Sequence, residues 1–149
     1  TVGGPGAEVG AGMSPRPVRP GGPPIWIGGS SKAAITRAAR CVDGWLPQGP
    51  PKMGMSNAIA HIAEVRAAEG LPAAFDLGVV AGPVYVGTPD FEIEPYATVG
   101  TAEQVAEHLA RFPPKGINQI QVGFRGRDAA EMADQVRRFG AEVAPLLVG

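Results

Sequence analysis

Gly28, Gly29, Ser30 and Ser31 are the residues of this chain best suited to hold an anion. They follow a short apolar run, Ile25-Trp-Ile27, and precede a helical pattern. At a strand-to-helix turn, glycine lets the backbone approach a ligand closely and adopt positive φ. The helix start offers unsatisfied N–H groups and the positive end of the dipole. The two serines add hydroxyl donors, and the combination suits a phosphate. It is neither the Gly-x-Gly-x-x-Gly fingerprint nor a P-loop ending in Gly-Lys-Ser/Thr. On these residues alone, an ordinary βα turn with a serine cap explains the stretch more simply.

The other chemistry-bearing residues point less far. Arg125 and Arg127 follow a β-like run ending at Phe124. On a barrel, βα loops form the catalytic face, so Arg125 is a second candidate for an anionic cofactor or substrate. A solvated loop beside Asp128 is the plainer reading. His61 and His108 are the only histidines. Each sits at the edge of a helical apolar stripe with no partner at metal-ligand spacing, which predicts solvated helix histidines and no metal site. Asp90, Glu92 and Glu94 alternate along a loop like a solvated edge. No Ser-His-Asp order or nucleophile elbow is present, so no catalytic side chain is assigned. Cys41 is the one cysteine and falls on the inward side of its helical stripe, which predicts an inert thiol.

Composition narrows the class. The chain has 149 residues, 44% apolar and 18% charged, with a formal net charge of -1. That is a globular mixture of single-domain length rather than a disordered one. The charge gives no reason to expect nucleic acid or an acidic membrane as partner. A lone thiol makes no internal disulfide, no stretch reaches the ~18 apolar residues of a membrane span, and no secretory pattern is seen. A cytoplasmic location is the expectation. The chain begins at Thr1, with its first methionine at Met13, as a processed or truncated product would.

Alternating elements must position these residues. Gly and Pro dominate residues 1–22, which read as an extended lead-in, and 23–149 as the folded part. Strands are expected at 24–28, 43–46, about 76–86 and 117–124, with Gly82-Pro83 interrupting the third. A helix follows each strand. The first has Ala34, Ile35, Ala38 and Cys41 on one face, and the second is capped by Ser56. The third opens with a capping box, Thr101-Ala-Glu-Gln104. The fourth begins at Asp128, with an apolar stripe of Met132, Val136, Phe139 and Val143, and closes at Pro145. Four βα units predict an α/β fold with a parallel sheet. Either half of a (β/α)8 barrel or a small open sheet satisfies that pattern.

Several stretches resemble one family. Pro17-Val-Arg-Pro-Gly-Gly-Pro-Pro-Ile-Trp-Ile-Gly-Gly-Ser30 is similar to the middle of luciferase-like monooxygenases, as is Arg37-Ala-Ala-Arg-Cys-Val-Asp-Gly-Trp45. Gly100-Thr-Ala-Glu-Gln-Val-Ala-Glu-His-Leu109 resembles that family's penultimate unit, and Phe139-Gly-Ala-Glu-Val-Ala-Pro145 its closing helix. The resemblance implies the C-terminal half of a (β/α)8 TIM barrel, with flavin mononucleotide (FMN) or coenzyme F420, a deazaflavin, as cofactor. It implies that Gly28, Gly29, Ser30 and Ser31 contact the cofactor phosphate. The family's first four units have no counterpart here, and they carry much of the ring pocket. The expected function is therefore a fragment or subunit of a flavin- or deazaflavin-dependent oxidoreductase or monooxygenase, acting on a small molecule. The alternative is a non-catalytic half-barrel that binds or assembles. A second copy or a partner half-barrel is the expected protein partner, because open strand edges invite pairing.

Overall fold

A computed structural model describes residues 17–147. Most of the expected lead-in therefore lies outside the described residues, and residues 17–25 form turns and irregular chain. The first unit is strand β1 (Trp26–Gly28) and helix α1 (Lys32–Cys41). The second is β2 (Gly44–Leu46) and α2 (Met55–Ala68). β3 (Asp76–Val86) leads through a loop and a short β4 (Thr98–Gly100) into α3 (Ala102–Leu109). β5 (Gln119–Phe124) and α4 (Ala129–Arg138) make the last unit.

All pairings are parallel: β1 with β2, β2 with the start of β3, and β3 with β5. β4 adds a parallel pairing to the end of β3, Val84 to Thr98 through Val86 to Gly100. β4 has no signature in the sequence, because its three residues are too few to set up an alternating pattern. Gly82-Pro83 does not end β3. The strand runs through, with Gly82 at φ 83° and the register against β5 slipping between Val80 and Pro83. A bulge there absorbs the missing proline donor.

The helices cover one face of the sheet. Trp45, Ile35, Ala38 and Ile62 form one core cluster with Ile27 and Leu77 packed against it. Val84, Val86, Val105, Leu109 and Val143 form a second, packed on by Ile120, Val122 and Phe124. Ile27, Trp45 and Val79 pair in register with Trp45, Leu77 and Ile120, respectively, or lie on the same face as them, so one side of every strand meets helix. Along the other side, Val80 is 46% exposed, and Gln119 and Gln121 are exposed. A doubly wound sheet carries helices on both faces, whereas a barrel carries them outside only. The arrangement decides for four units of a (β/α)8 barrel.

On the helix-free face the Trp26 ring takes the space of two missing side chains. A Cβ on Gly44 would lie 2.7 Å from Trp26 Nε1, and one on Gly78 would lie 3.4 Å from Trp26 Cζ3 and 2.8 Å from Leu46 Cδ1. At the strand starts, side chains complete the ladders. Asp43 Oδ2 accepts from Ile25 N–H at 2.8 Å, and Asn118 Oδ1 accepts from Leu77 N–H at 2.8 Å. Asn118 Nδ2 in turn donates to Asp76 Oδ1 at 3.1 Å.

Several expectations about helices need correction. α2 starts at Gly54, at φ 81° and with no side-chain cap, rather than at Ser56. Pro145 does not close the chain's last helix. A π-type turn over Phe139–Val143 and a helical turn at Ala144–Leu147 carry it past the proline. The inward residue of α4 is Gln135, 1% exposed, and Val136 is 49% exposed. Gln135 turns inward because the end of β3 needs partners: its Oε1 accepts from Val86 N–H at 2.7 Å and its Nε2 donates to Val86 O at 3.3 Å. Cys41 is exposed, not inward, because the buried stripe of α1 ends at Ala39. The capping box at Thr101 and Gln104 and the Asp128 cap form as expected.

Candidate functional site

The glycine-serine loop lies at the C-terminal end of β1, where a barrel keeps its chemistry. Gly29 has φ 96°, and a Cβ there would stand 3.1 Å from the Ala34 Cβ. The turn needs glycine for its own geometry, whatever it binds. The Gly29 carbonyl accepts from Trp45 Nε1 at 2.8 Å, and Trp45 is fully buried. The Asp-Gly-Trp stretch on β2 thus sets the height of the loop on β1. Nothing in the spacing of the residues announces that link.

The two serines differ. Ser30 Oγ donates to Gly49 O at 2.6 Å, tying the loop to the segment that follows β2. Its proton is already committed. Ser31 Oγ accepts from Ala34 N–H at 3.2 Å as the N-cap of α1. Accepting that bond leaves the Ser31 hydroxyl proton free to donate outward. A cavity of about 630 Å³ opens beside them, lined by Ser30, Ser31, Lys32, Pro50, Lys52 and Met53.

Charge separates this end of the sheet from the other. The first turns of α3 and α4 carry Glu103 and Glu131, which complement the positive end of each helix. α1 and α2 have no acidic residue in the first turn, and α1 opens on Lys32. A lysine at that position opposes the helix dipole by about 0.3–1 kcal/mol unless an anion compensates. Free first-turn N–H groups, one available hydroxyl proton and two lysines form a donor set that fits a phosphate.

Arg125 lies at the end of β5 with its guanidinium occupied. Its Nε stands 2.9 Å from both carboxylate oxygens of Glu94, and its Nη2 makes a 2.9 Å ion pair. The Arg125 hydrogen bond holds the Glu94 carboxyl below the usual range. Arg127 pairs with Asp90 and Glu131 at 3.0 Å each, and Phe91 packs edge-on against Tyr85. Glu131 also accepts from the Tyr85 hydroxyl at 2.8 Å, which raises the tyrosine above its ordinary value. Two of the three carboxylates read as a solvated edge, Asp90 and Glu94, fasten the 87–97 loop to the β5–α4 loop, while Glu92 is exposed as expected.

No cluster of metal-ligating side chains occurs among the described residues. His61 Nε2 meets Thr36 Oγ1 at 2.8 Å, bridging α2 to α1. His108 is half-buried against Phe112 and Arg111, and burial, then the arginine charge, depress it. No helix among the described residues is long and apolar enough to cross a membrane.

Parallel βα units with helices outside and a phosphate-compatible loop at the strand ends define a part of a (β/α)8-barrel protein. Residues 6–97, more than half of the chain, match the sequence model of the luciferase-like monooxygenases, and the chain belongs to that family. An uncharacterised protein of Mycobacterium tuberculosis and one of Mycobacterium bovis are each 27% identical over 132 residues, 85% of this chain and 38% of theirs. Among solved structures, a riboflavin lyase with modified FMN and riboflavin matches with a TM-score of 0.64 at 14% identity, over 85% of this chain and 43% of that one. An F420-dependent secondary alcohol dehydrogenase matches at 0.61 and 16% identity, covering 85% and 49%. The coenzyme F420-dependent tetrahydromethanopterin reductase of Methanopyrus kandleri matches at 0.61 and 13%, covering 82% and 50%. These likenesses establish the fold. The chain spans about two-fifths to one half of the proteins it matches.

Proposed function

We propose that this chain is the cofactor-phosphate half of a luciferase-like oxidoreductase that uses FMN or coenzyme F420. The free Ser31 hydroxyl proton at the start of α1, on a loop fixed by Trp45 and Ser30, carries the proposal. A reduced flavin or deazaflavin, when bound, supplies the electrons for monooxygenation or hydride transfer. Gly28, Gly29, Ser30 and Ser31 would anchor its phosphate, Ser31 by direct donation and Ser30 by holding the loop. Arg125, held by Glu94, would serve the site by fixing the wall of the mouth. The helix-free face, with Trp26, Leu46 and Val80 along it, would be closed by four further βα units. Without that cover, ring chemistry has no dry enclosure, so the chain alone is a binding half rather than a complete catalyst.

The test compares FMN with riboflavin, which lacks the phosphate. Titrations followed by flavin fluorescence should give affinity that depends on the phosphate and falls with added salt. Equal affinity for the two, or binding of neither, would overturn the reading.

A further inference from the structure

One edge of β3 is uncovered in its middle. On the side away from β5, β2 pairs with β3 only at Asp76 and Leu77. Leu46 is followed by Pro47, which has no N–H to carry that ladder further. β4 takes up the same edge only from Val84, a residue that pairs with β5 on its other side. Between Leu77 and Val84 no strand among the described residues covers this edge. Gly82, at φ 83°, and Pro83, without an N–H, form the bulge there, so few groups in the stretch require a strand partner.

A cavity of about 410 Å³ occupies the gap, and its lining comes from both faces of the sheet. Val79 lies two residues beyond Leu77 and shares its helix-covered side, whereas Val80 is 46% exposed on the bare side. Pro47, Pro50 and Met55, the first residue of α2, stand opposite. A cavity bordered by both valines passes through the sheet instead of lying on it. Gln48 marks its inner end, with Cγ and Nε2 each 3.5 Å from where a Cβ on Gly28 would stand, at the start of the phosphate loop. None of the described lining residues is charged, and Gln48 has the one polar side chain. The cavities around α1 and at the strand starts, in contrast, are bordered by Arg40, Arg66 or the two lysines.

We infer that this gap is a side entrance through the barrel wall, which takes an uncharged, unbranched apolar chain. The open edge from Val79 to Gly82 runs about 10 Å, at about 3.3 Å per residue, and it is as wide as the one strand it lacks. A charged group would find no counter-charge there to offset its desolvation. The inference deepens the proposed function by naming a substrate class. The mouth holds the cofactor phosphate, and the wall admits the apolar arm of the substrate, whose reacting end arrives beside Gly28. Ser30, by holding Gly49 O, fixes the segment that separates the two sites.

The experiment uses the 149-residue chain, isotopically labelled, with amide spectra recorded against 1-hexanol and against 3,3-dimethyl-2-butanol, its branched isomer. The linear alcohol should saturably move the amides of Gly49, Met55, Val79, Val80 and Gly82, and the isomer should bind about 5-fold more weakly. Val80→Trp fills the slot from its bare side, where the exposure of Val80 leaves room. It should weaken 1-hexanol about 10-fold and leave FMN within about 2-fold, with thermal melts confirming the fold. Equal binding of the two isomers, unchanged binding in Val80→Trp, or movement spread equally to Gln119 and Gln121 would overturn the entrance, because the alcohol would then only coat the bare face. Binding of FMN without saturable binding of 1-hexanol would overturn the entrance alone. Binding of 1-hexanol at these residues with no binding of FMN would uphold the entrance and overturn the phosphate reading.

Discussion

Replacing Ser31 and Ser30 by alanine, one at a time, separates a phosphate donor from a loop tie. Ser31 Oγ accepts the Ala34 N–H at 3.2 Å, a long N-cap bond, so its loss should cost about 1 kcal/mol of stability or less. For a chain of this length that lowers the melting temperature by about 4 °C. Toward a bound phosphate, Ser31→Ala also removes a hydroxyl donor to a charged group. Such a bond contributes about 1.5–3 kcal/mol, and because Ser31 is exposed the lower end applies, roughly a tenfold loss in affinity. Ser30 has spent its proton on Gly49 O at 2.6 Å. Ser30→Ala should therefore loosen the segment after β2 and weaken FMN only about 2- to 3-fold, the effect of a less ordered loop. Isothermal titration of FMN against wild type and both variants, with melts alongside, gives the ranking. If Ser31→Ala binds FMN as wild type does while its melting point falls, the hydroxyl is only a helix cap and the phosphate assignment fails. Gly29→Val makes a poor probe, since φ 96° and the Ala34 contact at 3.1 Å would damage the turn with or without ligand.

Three further outcomes follow from packing and charge. Gln135→Leu strands the buried Val86 N–H and should cost about 1–3 kcal/mol in urea unfolding, whereas the neighbouring Val136→Ser should shift the midpoint little. Gly44→Ala must push against Trp26 Nε1 at 2.7 Å and Asp76 Cβ at 2.8 Å, an overpacking worth about 1–3 kcal/mol that would show as a changed tryptophan spectrum and a lower melting point. Stability should fall on acidification in two stages. Depressed His108 favours its neutral form, so its contribution is present above roughly pH 6.5 and fades below that. Depressed Glu94 and Glu131 contribute above about pH 4.5 and lose their pairings as pH drops through their lowered values, first seen as amide exchange in the 87–97 loop.

The alternation of elements was legible because each unit announces itself locally. Ile25-Trp-Ile27 before Gly28-Gly29, and Thr101 with Gln104, are signals of a few residues that packing then respects. What escaped were decisions made across the sheet. Gln135 looks like a surface residue beside Val136, and only the edge of β3 beyond its last pairing with β5, at Val84 and Phe124, turns it inward. Asp90 and Glu94 look solvated until the two arginines some thirty residues later arrive beside them. The glycine-serine loop was found by spacing alone. Its division of labour depends on Gly49 O, Ala34 N–H and the Trp45 indole, none of which spacing reveals. Arg66 was passed over entirely. It is 8% exposed, donates to the carbonyls of Ala39, Pro72 and Ala74, and stacks on Phe75, pinning the end of α1 to the turn after α2.

Trp26 and Trp45, the only tryptophans, lie one register position apart on neighbouring strands and so on opposite faces of the sheet. Trp45 is fully enclosed under the helices, and Trp26 lies half-buried across Gly44 and Gly78 on the bare side. The protein thereby contains its own pair of optical gauges. Emission from Trp45 should be blue and indifferent to iodide or acrylamide as long as the helices stay docked. Emission from Trp26 should be red-shifted and readily quenched until some other polypeptide seals that side. Single substitutions, Trp45→Phe and Trp26→Phe, would let each be read alone. A unit that completes the barrel would then declare itself as a loss of quenching at one tryptophan and no change at the other, with no label attached and no turnover required.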